Sequence, residues 1–201
     1  MFHFSMSFPA ASPRSRPRFH GRRVSREEYL QLPDDGFRYD MIDGVLHAVP
    51  SADFQHGKRN GRFYRFLDEY LETHPYGEVT QETDILLPDG GDILCPDLCF
   101  VLNSNTGIIR THVHGTPDLI CEVLSPGTQR RDLGVKADRY LVNGVREYWI
   151  LAPETRSIEV RYSTLSADGI RNWLVRAGKD GDVLESRLLP GLLIENARIW
   201  R

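Results

Sequence analysis

The chain has 201 residues, enough for one sizeable core but not for two full domains. Its 40% hydrophobic and 26% charged content is that of an ordinary globular protein, and no apolar run reaches the ~18 residues needed to cross a membrane. The net charge of −3 conceals an asymmetry: residues 1–26 hold six arginines and no acid, which leaves the remaining 175 residues at −9. An acidic body is not the usual footprint of a nucleic-acid binder, and any such function has to accommodate it.

The first ~24 residues are rich in Ser, Pro and Arg and read as a disordered basic tail. A transit peptide and an arm touching phosphates are the alternatives for this stretch. The opening MFHFSMSFPAASP has no basic region followed by an apolar one, so no signal peptide is expected. Residues 25–201 are expected to form a single domain. Ser25 and Glu28 make a capping box ahead of a short helix. FRYDMIDGVLHAVP follows as two extended runs about an Asp43–Gly44 turn. From His56 to Thr73, Phe63, Phe66, Leu67, Tyr70 and Leu71 recur at helical spacing.

VTQETDILLP and DILCPDLCFVL are expected as strands, the second apolar on both faces and therefore central. DLICEVLSP is another buried strand. TQRRDLGVKADRYLVNGV is a helix ending at a Gly144 cap, and REYWILAP is the strand after it. From Ser157 onward, alternation broken by Gly and Asp turns predicts an antiparallel meander. The fold class is α/β, a central mixed sheet flanked by helices. Cys95, Cys99 and Cys121 lie in apolar segments with no disulfide or metal spacing, which favours buried thiols, a reducing compartment and a cytoplasmic location.

Two of the most apolar strands each contain a carboxylate, Asp97 and Glu122, where an unpaired charge is very costly. Either each acid pairs with an arginine or caps backbone, or adjacent strands bring the two together on a divalent cation such as Mg²⁺ or Mn²⁺. Pro96 lacks an N–H and predicts a strand splayed or bulged beside Asp97.

Pro96-Asp97, followed 25 positions later by Glu122, resembles the signature of the PD-(D/E)XK nuclease superfamily. The ordered set YDMIDG, PDLCFV, PDLICEVLSPGT and RDLGVKADRYLVNGVREYWIL is similar to the bacterial Uma-two family of restriction-endonuclease-like proteins, from about Ser25 to near the C-terminus. The resemblance implies a restriction-endonuclease-like core, Asp97 and Glu122 as metal ligands, and Lys136 as the third catalytic residue. The superfamily lysine would stand at Leu124; the Uma-two pattern displaces it into the next helix, where Lys136 is one of only three lysines against 22 arginines. A snorkelling Lys136 with its head in water is the alternative. Asp40, where the family usually has Glu, and His56 match recurring family positions and are secondary candidates. Asp132, four residues before Lys136, is placed to orient it.

The implied activity is metal-dependent phosphodiester hydrolysis of nucleic acid, with DNA favoured, no membrane association and a homodimer as the expected assembly. A non-catalytic binding or regulatory module on a nuclease scaffold fits the acidic body equally, and a small-phosphoester hydrolase is a third reading.

Overall fold

The computed structural model describes residues 16–88 and 90–201. Arg26–Leu30 form α1, with both capping-box hydrogen bonds made between Ser25 and Glu28. Strands β1 (Arg38–Ile42) and β2 (Val45–Val49) pair in register about Asp43 and Gly44, both at positive φ, as the twist of a tight hairpin requires. Order starts earlier than the expected Ser25. Phe19 and Val24 are buried, and the Gly21 and Val24 N–H groups donate to Leu46 and Gly44, so residues 18–24 line the outer edge of β2. The expected tail over residues 1–15 lies outside the described residues.

Helix α2 spans Phe54–Thr73, beginning two residues before the expected start because Asp53 caps the His56 N–H at 2.7 Å. The two long apolar runs that follow each divide in two. The first becomes β3 (Gly77–Gln81) and β4 (Ile85–Leu86), the second β5 (Ile93–Leu94) and β6 (Leu98–Leu102). Glu82 turns at φ 53°, and Pro96 cannot donate to a ladder. Each break moves the chain from one sheet to another. A 3₁₀ turn (Asn103–Ile108), β7 (Val113–His114) and β8 (Leu119–Val123) come next.

The expected helix after β8 is not continuous: α3 (Gln129–Arg131), a π-type turn (Asp132–Lys136) kinked at Gly134, and α4 (Ala137–Asn143) share it. Gly144, at φ 93°, caps α4. Strand β9 (Glu147–Ala152) runs parallel to β8. β10 (Ser157–Leu165) and β11 (Arg171–Lys179) continue antiparallel as expected. β12 (Val183–Glu185) and β13 (Leu193–Glu195) then leave the meander as a separate hairpin, and the chain continues into α5 (Asn196–Trp200), which the alternation did not predict.

The six-stranded sheet has the order β11-β10-β9-β8-β6-β3, and the five-stranded one β2-β1-β5-β4-β7. Period-two alternation divides the large sheet between two cores. Cys121, Val123, Phe100 and Trp149 face α2 and the C-terminal hairpin. Ile120, Cys99, Tyr148 and Ile150 face α4 and the small sheet. Arg139 ties α4 to the small sheet through Asp92 at 2.7 Å and Asp43 at 2.6 Å. The seam between the sheets is where the strands carrying Asp40, Asp97 and Glu122 meet.

Candidate active site

Register brings the two strand acids together. β6 pairs with β8 so that Leu98 stands opposite Cys121, which sets Asp97, one residue before Leu98, against Glu122, one residue after Cys121. Glu122 then projects on the α4 side of the sheet, with Asp97 opposite it at the strand end. The Asp97 N–H, freed from any ladder by the break at Pro96, donates to Glu122 Oε2 at 3.3 Å. Asp97 Oδ2 accepts from the Val123 N–H at 2.7 Å and lies 3.2 Å from His56 Nε2. Asp97 therefore does cap backbone, one of the readings open from sequence, and it does so beside the second acid.

Lys136 decides how the charges are arranged. Its side chain is 3% exposed, so it does not snorkel. Nζ lies 2.5 Å from Glu122 Oε1, 3.5 Å from Asp132 Oδ1 and 3.8 Å from Asp40 Oδ1. Burial alone would lower the lysine pKa, but the three carboxylates more than offset it and hold it well above its ordinary value. Lys136 is thus an ammonium at neutral pH. Tyr140, one turn further on, donates its hydroxyl to the same Glu122 oxygen at 2.9 Å, and Tyr148 donates to the Asp132 carbonyl at 3.0 Å, steadying the π-type turn.

The small sheet closes the site. Asp40 on β1 accepts the Cys95 N–H at 2.8 Å, so the residues on either side of Pro96 are held by two different acids. Arg131 Nε lies 3.1 Å from Asp40 Oδ2, near as a charge but off the hydrogen-bond direction. From α2, Asn60 donates to the Asp97 carbonyl at 2.9 Å. Asp40 Oδ2, His56 Nδ1 and Asn60 Oδ1 are buried without a hydrogen-bond partner among the described residues. A cavity of about 340 Å³ is lined by Asp40, His56, Asp97, Glu122, Asp132 and Lys136.

All six residues singled out from sequence therefore line one cavity. Sequence reasoning missed Tyr140, Arg131 and Asn60. Tyr140 falls on the apolar stripe of its helix with Ala137, where the sequence gives its hydroxyl no partner. Asn60 lies four residues after His56 and on the buried face shared with Phe63 and Leu67, a polar intrusion that could have drawn notice. Burial pushes the Cys99 thiol up to about 12 and Cys95 and Cys121 well above their usual value, so none is a thiolate ligand at neutral pH.

Asp97 and Glu122 match what Mg²⁺ takes from a protein, one or two carboxylates with water and substrate oxygens completing the shell. Among the described residues no group of three or more His, Cys, Asp or Glu is spaced to hold a metal ion. Asp97 and Glu122 are the two carboxylates that could serve such an ion, with water and substrate oxygens left to complete the shell.

A family model described as "Uma2: Putative restriction endonuclease" matches residues 26–195. The chain belongs to the Uma2 family. An uncharacterized protein of Synechocystis, slr1290, is 25% identical over 164 residues, covering 81% of this chain and 84% of the relative. The crystal structure of "a putative nuclease belonging to DUF820" from Anabaena variabilis superposes with a TM-score of 0.72 at 14% identity, covering 88% of this chain and 97% of that one. The Uma2 fold here is accordingly restriction-endonuclease-like, a mixed α+β architecture, as the resemblance implied. Among the described residues no helix is long and apolar enough to cross a membrane.

His56 gives the site a pH signature. Burial would lower its pKa, but the hydrogen bond to Asp97 and that carboxylate's charge outweigh burial and raise it above 6.5. A raised histidine contributes stability that is complete below its unfolded pKa and is lost as pH rises through the folded value. His56→Gln should therefore lower the melting temperature more at about pH 6 than at about pH 9. Equal losses at both would show that no charge on His56 supports the fold.

Proposed function

We propose that this Uma2 protein is a metal-dependent nuclease that hydrolyses phosphodiester bonds in nucleic acid, with DNA as the favoured substrate. The observation that carries the reading is the alignment of Asp97 with Glu122 beneath an open cavity, with the buried Lys136 ammonium 2.5 Å from Glu122. Asp97 and Glu122 would hold Mg²⁺ or Mn²⁺, which when bound supplies Lewis acidity toward a phosphate oxygen and a water of lowered pKa.

The chain's own residues do the rest. Lys136 enters as a cation, so its role is to offset negative charge developing on the phosphorane and not to remove a proton. Tyr140 and Asp132 fix where that ammonium and its Glu122 partner sit. Asn60 and the Val123 N–H fix the Asp97 backbone and carboxylate. Arg131 also lines the cavity, where a guanidinium can meet a phosphate oxygen. In the overall reaction water adds to phosphorus, one P–O ester bond breaks, and the leaving oxygen gains a proton.

The test is hydrolysis of single-stranded, duplex and branched DNA and of RNA with Mg²⁺ or Mn²⁺, against Asp97→Asn. Turnover by the wild type and its loss in the variant is the expected result. Identical behaviour of the two on every substrate would leave the non-catalytic module, and cleavage confined to small phosphoesters would favour the third reading.

A further inference from the structure

Helix α2 has two dissimilar faces. Its inner face delivers His56 and Asn60 to Asp97. Elsewhere on its first half stand Lys58, Arg59, Arg62 and Arg65, and residues 54–66 contain no acid. Lys58, Arg62 and Arg65 follow one another at i, i+4 and i+7, so they form a single stripe along the helix. The short α5 adds Arg198, followed by Arg201, again without an acid in residues 196–201. In a protein whose remainder is strongly acidic, five cations on two adjoining helices and a sixth just past the second are not background usage.

The way these cations are held matters more than their number. Arg62 donates to the Ile199 carbonyl at 3.0 Å. Arg59 donates to the Gln55 carbonyl at 2.7 Å and lies over the Trp200 ring. The Arg198 guanidinium stacks on Phe66 at 4.4 Å. Carbonyls and rings orient a guanidinium without neutralising it. Among the described residues, side-chain carboxylates reach the group through Glu69, on Arg65 and Arg198, and Glu195, on Arg198. A shallow concavity between the helices is lined by Arg62, Arg65, Phe66, Arg198 and Arg201 alone.

The patch is continuous with the reaction cavity. A second cavity of about 270 Å³ shares Asp53, His56 and Ser125 with the first and is bordered by Arg59. Arg65 follows His56 by nine residues, which at 1.5 Å per residue is about 13 Å, or roughly four nucleotide steps of 3.4 Å along one strand.

Building on the nuclease reading, we infer that the α2–α5 cations are a phosphate track. They would hold the nucleic-acid backbone on one side of the scissile bond as it leaves the cavity past Arg59. The acidic remainder would repel the polyanion elsewhere and so orient it. This reconciles a net acidic protein with a polyanionic substrate.

The test is binding of a labelled DNA duplex and a labelled single strand, in EDTA so that nothing is cut, across a range of salt. The triple variant Lys58→Gln, Arg62→Gln, Arg65→Gln should flatten the slope of log K against log salt by about 2 to 3 on duplex, since each lost phosphate contact removes about 0.9. Should that variant fail to fold, the exposed Lys58→Gln alone should flatten it by about 0.9. The control neutralises Arg171, Arg176 and Lys179 on β11, at the far edge of the large sheet, and should leave the slope unchanged. Wild-type slopes in the α2 variants, or an equal loss in the β11 control, would overturn the track while leaving the nuclease intact. A wild type that neither binds nor cleaves nucleic acid would overturn both.

Discussion

Lys136→Ala is expected to destabilise the protein by about 3–5 kcal/mol, the range seen when one partner of a buried ion pair is removed. The side chain is 3% exposed, and three carboxylates face it. Without it Glu122 keeps only the Tyr140 hydroxyl and the long Asp97 N–H contact, and Asp132 loses its only nearby cation among the described residues. For a chain of this length the loss should appear as a fall in melting temperature on the order of 10 °C. Lys136→Met combined with Glu122→Gln should recover part of the loss, because the buried charge left uncompensated is removed with its partner. Neither variant should hydrolyse phosphodiesters. A Lys136→Ala protein melting within about 2 °C of wild type would show that the lysine is not the counterion of this cluster.

The second expectation concerns the metal. Mg²⁺ at about 100 times its dissociation constant should stabilise the wild type by about 2.7 kcal/mol. Asp97→Asn with Glu122→Gln should abolish that shift, and Asp97→Asn alone, which keeps the Glu122–Lys136 pair, should weaken it. Binding would also relieve the repulsion between two carboxylates set on opposing strands, so the stabilisation should be largest where both acids are intact. Equal shifts in wild type and double variant would sink the metal site, whatever the outcome of the nuclease assay.

Much of this site was legible in sequence because its chemistry violates a rule of local composition. Carboxylates in strands as apolar as those around Asp97 and Glu122 need a reason, and Pro96 signalled a break beside one of them. The same rule would also have flagged Glu147, buried in β9, and it would have misled there. Its carboxylate accepts from the Trp149 indole, the Ser186 hydroxyl and the Arg187 and Leu188 N–H groups, so it is fully occupied in holding the C-terminal segment to the sheet. What separates Glu122 from Glu147 is a cation and an open cavity, and neither can be read from one strand. The division of DILCPDLCFVL into strands of different sheets was also hidden, since both halves are equally apolar. So was the π-type turn that carries Lys136 into the seam, because a helical stripe looks continuous across a kink. Long-range packing decides these, as it does the departure of β12 and β13 from the meander.

The passage at Pro96 has a consequence for how activity relates to folding. Cys95 is pinned by an acid of the small sheet and Asp97 by an acid of the large one, so the reaction cavity exists only while the two sheets are docked. The large sheet has one core against α2 and the C-terminal hairpin and shares a second with α4 and the small sheet. Opening at that seam would erase the site at a free-energy cost below that of global unfolding. The site should therefore be only as stable as the closure of the two sheets across the core they share, and changes far from Asp97 and Glu122 that loosen that closure should open it.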